Sequence, residues 1–324
     1  DIKLVYWAGG NPFHHHQDLN RLHSAWQKPD TVIVHEIWWN STARHADIVL
    51  PVTSPLERDD IGGASGGASI VAMQKAVDPA AEAKDDFEVF ANLAQRFGKW
   101  EEFTEGLDAS QWLETIYRQT KENAQEHGVE MPEFSQFWEQ GKFLFPEAKR
   151  PHTMLADFRE RPDEKPLQTP SGKIEIGSKT IESFGYEDCR GYPCWYEPVE
   201  WLGSEWAELF PLHLISNQPA KRLHSQLDNG ITSQQSKING REPIRISPND
   251  AKERGIVEGD EVLVHNQRGA FMAGAIVSDD IRSGVMQIAT GAWWDPLFDN
   301  GGVTTCRHGN PNAVTLDKGT SKLA

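Results

Sequence analysis

Leu4-Val5-Tyr6-Trp7-Ala8-Gly9-Gly10-Asn11-Pro12-Phe13-His14-His15-His16-Gln17-Asp18 is the stretch on which the fold turns. A short apolar run ends in Gly9-Gly10-Asn11. A polar, helix-starting segment follows, in which Leu19, Leu22 and Trp26 recur like one face of a helix. This pattern is a strand, a tight glycine turn and a helix N-terminus. Backbone N–H groups at such a turn point outward and favour anionic groups such as phosphate. The strand begins at residue 4 with almost nothing before it, as an interior strand would. The chain is therefore expected to be the C-terminal part of something larger.

Outward from that stretch, Thr31-Val32-Ile33-Val34 and Asp47-Ile48-Val49-Leu50-Pro51-Val52 read as buried strands. Asp85 or Asp86 can cap a helix with Phe87, Phe90, Leu93, Ala94 and Phe97 on one side, and Gly98 stops it. Alternation of strand and helix implies a parallel α/β sheet with ligands at the carboxyl ends of its strands. The Gly-Gly-Asn turn and Val34-His35-Glu36 both lie at such ends. Trp112, Ile116 and Tyr117 make one helical stripe ending near Gly128, and Phe134, Phe137 and Trp138 a second ending near Gly141. Core packing explains them; the alternative is a wall of a substrate entrance. Residues 1–150 are thus an α/β unit with a helical extension. Residues 151–207, rich in Pro, Gly and charge, read as a linker, with Thr169 to Ile176 a turn entering a strand.

Residues 208–324 change character. Leu212–Ser216, Pro243–Ile246, Glu261–His265, Ala273–Val277 and Val285–Ile288 are short strand candidates separated by turn residues. One helix, Pro248 to Arg254, is bracketed by Ser247 as N-cap and Gly255. Many short strands with little helix indicate a compact β-barrel.

Net charge is −16, from 48 acidic and 32 basic residues, which disfavours nucleic-acid or anionic-membrane binding while leaving room for a local positive pocket. No apolar run approaches the ~18–20 residues that span a bilayer. Cys189, Cys194 and Cys306 lack metal-ligand spacing, although Cys189 and Cys194 could pair. Three successive histidines point in different directions on a helix and cannot chelate one ion from one face. Ser225 beside His224 is sequence adjacency and makes no nucleophile triad. The 12 tryptophans read as packing, with an aromatic-lined ligand funnel as the alternative.

Several motifs in order carry a family resemblance. Gly9-Gly10-Asn11-Pro12-Phe13 with His15 and Gln17, then Thr42-Ala43-Arg44-His45-Ala46-Asp47-Ile48-Val49-Leu50-Pro51 and Glu57-Arg58-Asp59-Asp60-Ile61, resemble the molybdopterin oxidoreductases. So do Arg222-Leu223-His224-Ser225-Gln226, Ser247-Pro248-Asn249-Asp250-Ala251, Gly255-Ile256-Val257-Glu258-Gly259-Asp260 and Gly309-Asn310-Pro311-Asn312. The combination is similar to the dimethyl-sulfoxide, trimethylamine-N-oxide and biotin-sulfoxide reductase branch. The resemblance implies an α/β dinucleotide-binding domain followed by a C-terminal double-psi β-barrel. It also implies molybdenum held by bis(molybdopterin guanine dinucleotide), oxygen-atom transfer from an S-oxide or N-oxide, and an electron donor such as a c-type cytochrome. In the family the metal ligand, serine in this branch, lies in an N-terminal portion, so this stretch alone is expected to be inactive and to hold cofactor only. The chain stops at Lys322-Leu323-Ala324, where family members continue through a further cofactor contact. A formate, nitrate or polysulfide enzyme of the same superfamily, or a nucleotide-binding module without molybdenum, are the other readings. The branch places its members mostly in the periplasm, with biotin-sulfoxide reductases cytoplasmic.

A polyanionic ligand with many amide-like edges needs glycines for close approach, polar side chains for edges, carboxylates for guanine N–H groups and some cations. Gly9, Gly10 and Asn11 supply the turn, and His15 and Gln17 follow on the first helical turn, where the helix dipole favours negative charge. Val34, His35 and Glu36 stand where a nucleotide edge or ribose lies; an exposed strand-end acid is the alternative for Glu36. Arg58 suits phosphate or guanine through its planar fork, or pairs with Asp59 or Asp60 at the surface. Asp86 accepts from guanine N–H groups or merely caps its helix. Ser216, Asn217, Gln218, Arg222, His224, Ser225 and Gln226 form a polar cluster after an apolar strand and need partners if buried. Asn312 resembles the family's pterin contact, with Asn310 and His308 its neighbours.

Overall fold

The structure is a computed structural model that describes residues 1–64, 66–147, 153–298 and 304–323. The expected boundary between residues 150 and 151 lies outside the described residues.

The N-terminal sheet is parallel, in the order β1-β2-β3: β1 (Leu4–Ala8), β2 (Thr31–Glu36) and β3 (Ile48–Pro51). Their β-branched runs favour a pleated, buried surface, and Val32 and Val34 of β2 are fully enclosed. Among the described residues β1 pairs with β2 alone. Between β1 and β2 the expected single helix is two short ones, α1 (Pro12–His15) and α2 (Leu19–Trp26). Asp18 separates them in a left-handed conformation and accepts from the Arg21 N–H as the cap of α2. A third helical turn, α3 (Ser41–Arg44), follows β2 and is capped by Asn40.

A second, antiparallel sheet was not foreseen: β4 (Asp60–Gly63), β5 (Ser69–Met73) and, much later, β6 (Lys142–Leu144), in the order β4-β5-β6. The intervening chain is helical: α4 (Asp86–Arg96), α5 (Trp100–Thr104), α6 (Ala109–Glu126) and α7 (Phe134–Gln140). α6 starts at a capping box between Asp108 and Gln111, and Gly141 ends α7. The two aromatic stripes pack with this sheet: Tyr117 and Phe137 stack 4.6 Å apart in a core with Ala72, Ile70 and Phe143. Tyr117, Phe134, Phe137 and Trp138 are core residues, as their spacing indicated, whereas Trp112 and Ile116 lie outside that core and Ile116 is exposed.

Residues 153–212 carry the short helices α8 (Ala156–Glu160) and α9 (Lys179–Glu182) and one 3-10 turn, Glu205–Glu208. Lys173–Ile176 forms no strand, because Ile174 and Ile176 stand exposed without a neighbouring chain to pair them. Cys189 and Cys194 are free thiols.

The C-terminal sheet has seven strands: β7 (His213–Asn217), β8 (Pro243–Ile246), β9 (Glu261–His265), β10 (Ala270–Val277), β11 (Val285–Ala289), β12 (Pro296–Phe298) and β13 (Thr304–Cys306). Two helices interrupt it, α10 (Ile231–Gln234) and α11 (Pro248–Arg254), the latter with the expected Ser247 cap and Gly255 stop. The order is β12-β13-β10-β8-β11-β7, with β9 antiparallel to β10. β10 pairs in parallel with both β8 and β13, and β7 with β11, whereas β8 with β11 and β12 with β13 are antiparallel. Among the described residues the strands form a mixed sheet, with parallel and antiparallel pairs, within an α/β architecture.

The face of α2 predicted from spacing is buried, but against the far end of the chain. Phe13, Leu19, Leu22 and Trp26 join one core with Ile244, Phe271, Ile288, Trp294 and Val314. Phe13 lies flat on Trp294 (5.2 Å, 8° between planes) and against His45 at 4.6 Å. The N-terminal turn and the C-terminal sheet therefore share their apolar interior.

Candidate functional site

Gly9 and Gly10 follow β1 at φ of +83° and +77°, and a Cβ at either would meet no atom within 4 Å. The backbone there is open to an approaching group, and only glycine adopts that conformation cheaply. Asn11 is buried; its carboxamide accepts from the Thr42 hydroxyl (2.9 Å) and donates to the Ser225 hydroxyl (3.4 Å). Asn310 is buried too, and donates to the carbonyls of Phe13 (3.0 Å) and Ala292 (2.9 Å). Asn312 donates to the His14 carbonyl at 2.7 Å. Three polar segments far apart in sequence, 9–15, 222–226 and 308–312, thus meet through carboxamides. Around that junction His15, Gln17, His224 and Gln226 stay exposed.

His14, absent from the sequence-based candidates, lies at this junction. It is buried, its Nδ1 has no hydrogen-bond partner, and its ring stands 4.7 Å from His15 and 5.7 Å from His224. Burial, reinforced by the charges of His15, His224 and Arg222, lowers its pKa to about 4, so it is neutral at pH 7. A sequence signal existed: it follows Phe13, whose ring enters the core, and a helical neighbour of an anchored residue is easily buried.

Arg222 is also at this junction, but it faces inward. Its side chain is 1% exposed, and its guanidinium bonds Glu242 (3.2 Å), the His224 carbonyl (3.1 Å) and the Thr290 carbonyl (2.8 Å). Asp228, Lys237 and Glu242 complete this buried charge cluster and were not anticipated from sequence. Burial opposes ionisation of Asp228, but Lys237, 2.7 Å away, together with the Trp293 N–H and Arg222, outweighs it and holds the carboxyl below its usual range. Burial pushes Glu242 upward despite Arg222 and Lys237. Ser216, Asn217 and Gln218 stand exposed at the end of β7, and the Asn217 side chain turns back to the Gln218 carbonyl.

The remaining candidates gather at the carboxyl end of β2. Val34 is wholly buried. His35 is buried between the Tyr6 hydroxyl at Nε2 (2.8 Å) and the Asp86 carboxylate at Nδ1 (2.6 Å). Asp85, not Asp86, caps α4 by accepting from the Glu88 N–H, which leaves Asp86 free to pair with His35. Glu36 turns back to its own loop, accepting from Asn40 (2.6 Å) and the Ile37 N–H (3.0 Å); burial raises its pKa against these bonds. Arg58 donates to the Thr53 carbonyl (2.8 Å) and pairs with Asp60 (3.4 Å). Arg58 and Asp86 line a cavity of about 460 Å³ walled by Phe103, Trp112 and Ile116. Trp112 and Ile116, whose stripe the sequence indicated as core, face this space.

Residues 1–96 match the family model described as Molybdopterin oxidoreductase, and residues 212–324 the one described as Molydopterin dinucleotide binding domain. The chain is 48% identical over its whole length to the dimethyl sulfoxide/trimethylamine N-oxide reductase of Cereibacter sphaeroides, covering 40% of that protein. It is 46% identical to the biotin sulfoxide reductase of the same organism, over 99% of this chain and 42% of that protein. It is also 46% identical to the trimethylamine-N-oxide reductase of Haemophilus influenzae, over 100% of this chain and 40% of that protein. The chain therefore spans about 40% of the length of these curated relatives. The solved structure of acetylene hydratase from Pelobacter acetylenicus superposes on 98% of this chain and 41% of that one, with a TM-score of 0.73 at 22% identity. That likeness shows a shared fold.

Proposed function

Because the chain belongs to the molybdopterin oxidoreductase family, we propose that it is the nucleotide-holding part of a molybdenum-dependent S-oxide or N-oxide reductase. In this reading it grips bis(molybdopterin guanine dinucleotide) between its α/β unit (residues 1–150) and its C-terminal double-psi β-barrel (residues 208–324). When bound, that group supplies two-electron oxygen-atom transfer between molybdenum and substrate; the protein supplies binding, orientation and tuning.

The observation that carries the proposal is the junction of Asn11, Ser225, Asn310 and Asn312, which draws residues of both matched regions around the open Gly9-Gly10 turn. The residues suit a polyanion with amide-like edges. The glycine turn leaves backbone N–H groups approachable, and His15, Gln17, His224, Gln226 and Asn312 offer side-chain donors. His14 stays neutral at pH 7, so it can donate one hydrogen bond and accept another there without a buried charge. At the β2 end, Asp86 and Arg58 beside the aromatic-walled cavity suit a planar base with donor and acceptor edges, with His35 orienting Asp86.

The substrate in this reading is a small S-oxide or N-oxide, the electron donor a redox protein such as a c-type cytochrome, and the compartment the periplasm. The sequence similarity to named sulfoxide and amine-N-oxide reductases supports the substrate class. No helix among the described residues is long and apolar enough to cross a membrane.

The test is to produce the longest natural protein that carries this sequence in a host that makes the cofactor, and to measure its metal and released nucleotide by mass spectrometry. About one molybdenum and two guanine nucleotides per chain are expected, with reduced-dye turnover of sulfoxide or amine oxide. Folded protein with neither molybdenum nor guanine nucleotide overturns the proposal.

A further inference from the structure

We infer that Lys237, Asp228 and Glu242 are positioning residues: with Arg222 they form a buried, charge-balanced tetrad that locks the His224–Gln226 loop and the Asn310–Asn312 arm in one register. The inference rests on the reading that these two segments hold the cofactor.

The four side chains are 1–5% exposed. Lys237 Nζ lies 2.7 Å from Asp228 and 3.5 Å from Glu242; Arg222 lies 3.6 Å from Asp228 and 3.2 Å from Glu242. Two cations and two anions cancel, which is the condition under which such burial is tolerable. Apolar side chains of the same volume would fill the space with less desolvation, so the geometry the charges impose is the feature to explain.

Three of the four members are wired to backbone in or beside the two segments. Arg222 donates to the carbonyls of His224 and Thr290. Asp228 accepts from the Trp293 N–H (3.0 Å), and the Trp293 indole donates to the Ser225 carbonyl (2.8 Å). Glu242 reaches the other arm: its N–H donates to the His308 carbonyl (3.3 Å), and a Cβ on Gly309 would come within 2.7 Å of the Glu242 Cβ. The loop needs such support, because His224 and Leu227 both adopt left-handed φ angles, +50° and +54°, which non-glycine residues hold only when their surroundings over-determine them. Lys237 touches neither arm directly and acts through Asp228 and Glu242 alone.

The test uses the full-length protein from a cofactor-making host and two readouts: guanine nucleotide per folded chain, and amide hydrogen exchange of the cofactor-free protein. Lys237→Met and Asp228→Asn are expected to speed exchange in residues 223–227 and 308–312 about tenfold while β1 and β2 keep their protection, and to lower nucleotide content. Lys237→Arg is expected to restore both. If Lys237→Met does not fold, Lys237→Met/Glu242→Gln, which removes one cation and one anion together, is read by the same criteria. Exchange that is unchanged, or that rises uniformly over the molecule, with nucleotide content per folded chain equal to wild type, overturns the inference. Gln226→Ala/Asn312→Ala separates it from its premise. If that variant keeps full nucleotide, the cofactor reading of these segments fails; if it loses nucleotide while the tetrad variants keep theirs, only the tetrad's role fails.

Discussion

The Asn312 carboxamide donates to the His14 backbone carbonyl at 2.7 Å, across 298 positions of sequence. Two residues before it, Asn310 does the same for Phe13. The first helical turn of the chain is thus held by the Asn310–Asn312 arm, and the open Gly9-Gly10 turn stands beside the junction. This linkage ties the α/β unit to the C-terminal sheet at one junction.

Asn310→Ala is expected to be costly for its size. The side chain is 1% exposed and satisfies two buried carbonyls. Leaving both unpaired costs about 2–4 kcal/mol. Urea unfolding checks this; a loss below about 1 kcal/mol, the net worth of one ordinary hydrogen bond, means water or a rearranged side chain replaces the carboxamide.

Gly291→Ala and Gly128→Ala make a matched pair. Gly291 sits at φ +93°, and a Cβ there would lie 2.0 Å from the His224 carbonyl oxygen, a backbone atom that cannot step aside. Gly128 has φ +74° but open space around it. Gly128→Ala is expected to cost about 1–2 kcal/mol from backbone strain alone. Gly291→Ala adds a clash and is expected to exceed that and to displace the 222–226 loop. Thermal unfolding of the two variants side by side reads the difference.

Phe13→Ala tests the shared interior. The ring is fully buried between His45 and Trp294 and belongs to the core that contains Phe271 and Ile288. A loss of about 3–5 kcal/mol is expected. Protease sensitivity of residues 9–30 is expected to rise with it, since α1 and α2 lose their anchor. Intact protection there would show that α2 docks without Phe13.

His14 gives a pH signature. Burial, with the nearby charges of His15, His224 and Arg222, sets its folded pKa near about 4, against 6.5 for the ordinary imidazole. Between those values the unfolded chain takes up a proton that the folded chain refuses. Stability from this group is therefore whole above pH 6.5, falls as pH drops towards about 4, and is level below that. The full span is of the order of 3 kcal/mol. His14→Asn should flatten that slope in urea titrations between pH 7.5 and 4.5, while His23, His45 and His308, also lowered by burial, contribute equally to both proteins. Identical slopes would mean that His14 takes up its proton alike in the folded and unfolded chain, against a pKa lowered by burial.

The local signals in this chain were strong where one element decides its own form. β2 and β3 follow from short β-branched runs, α11 from Ser247 and Gly255, and α6 and α7 from aromatic stripes ending at glycine. The sheet β4-β5-β6 was not legible, because Asp60–Gly63 is short and glycine-bearing and the sheet's third strand, which pairs with β5, begins 79 residues after it ends. The choice between Asp85 and Asp86 as cap was undecidable locally, since either carboxylate reaches an N–H of the first turn; His35, 51 positions before Asp86, settles it. Arg222 looked like a ligand contact by its polar neighbours, and only the fold shows its charge spent on Asp228 and Glu242.

By itself the sequence determined the strand–glycine turn–helix opening, the alternation that makes the first sheet parallel, and the polar motifs in family order. Each depends on period, cap or turn chemistry within a few residues. Tertiary structure decided which polar groups are buried, that α2 packs on the C-terminal sheet, and that His14 is neutral at pH 7. Those outcomes depend on desolvation and pairing between residues hundreds of positions apart, and no local pattern encodes which distant group will supply the missing partner.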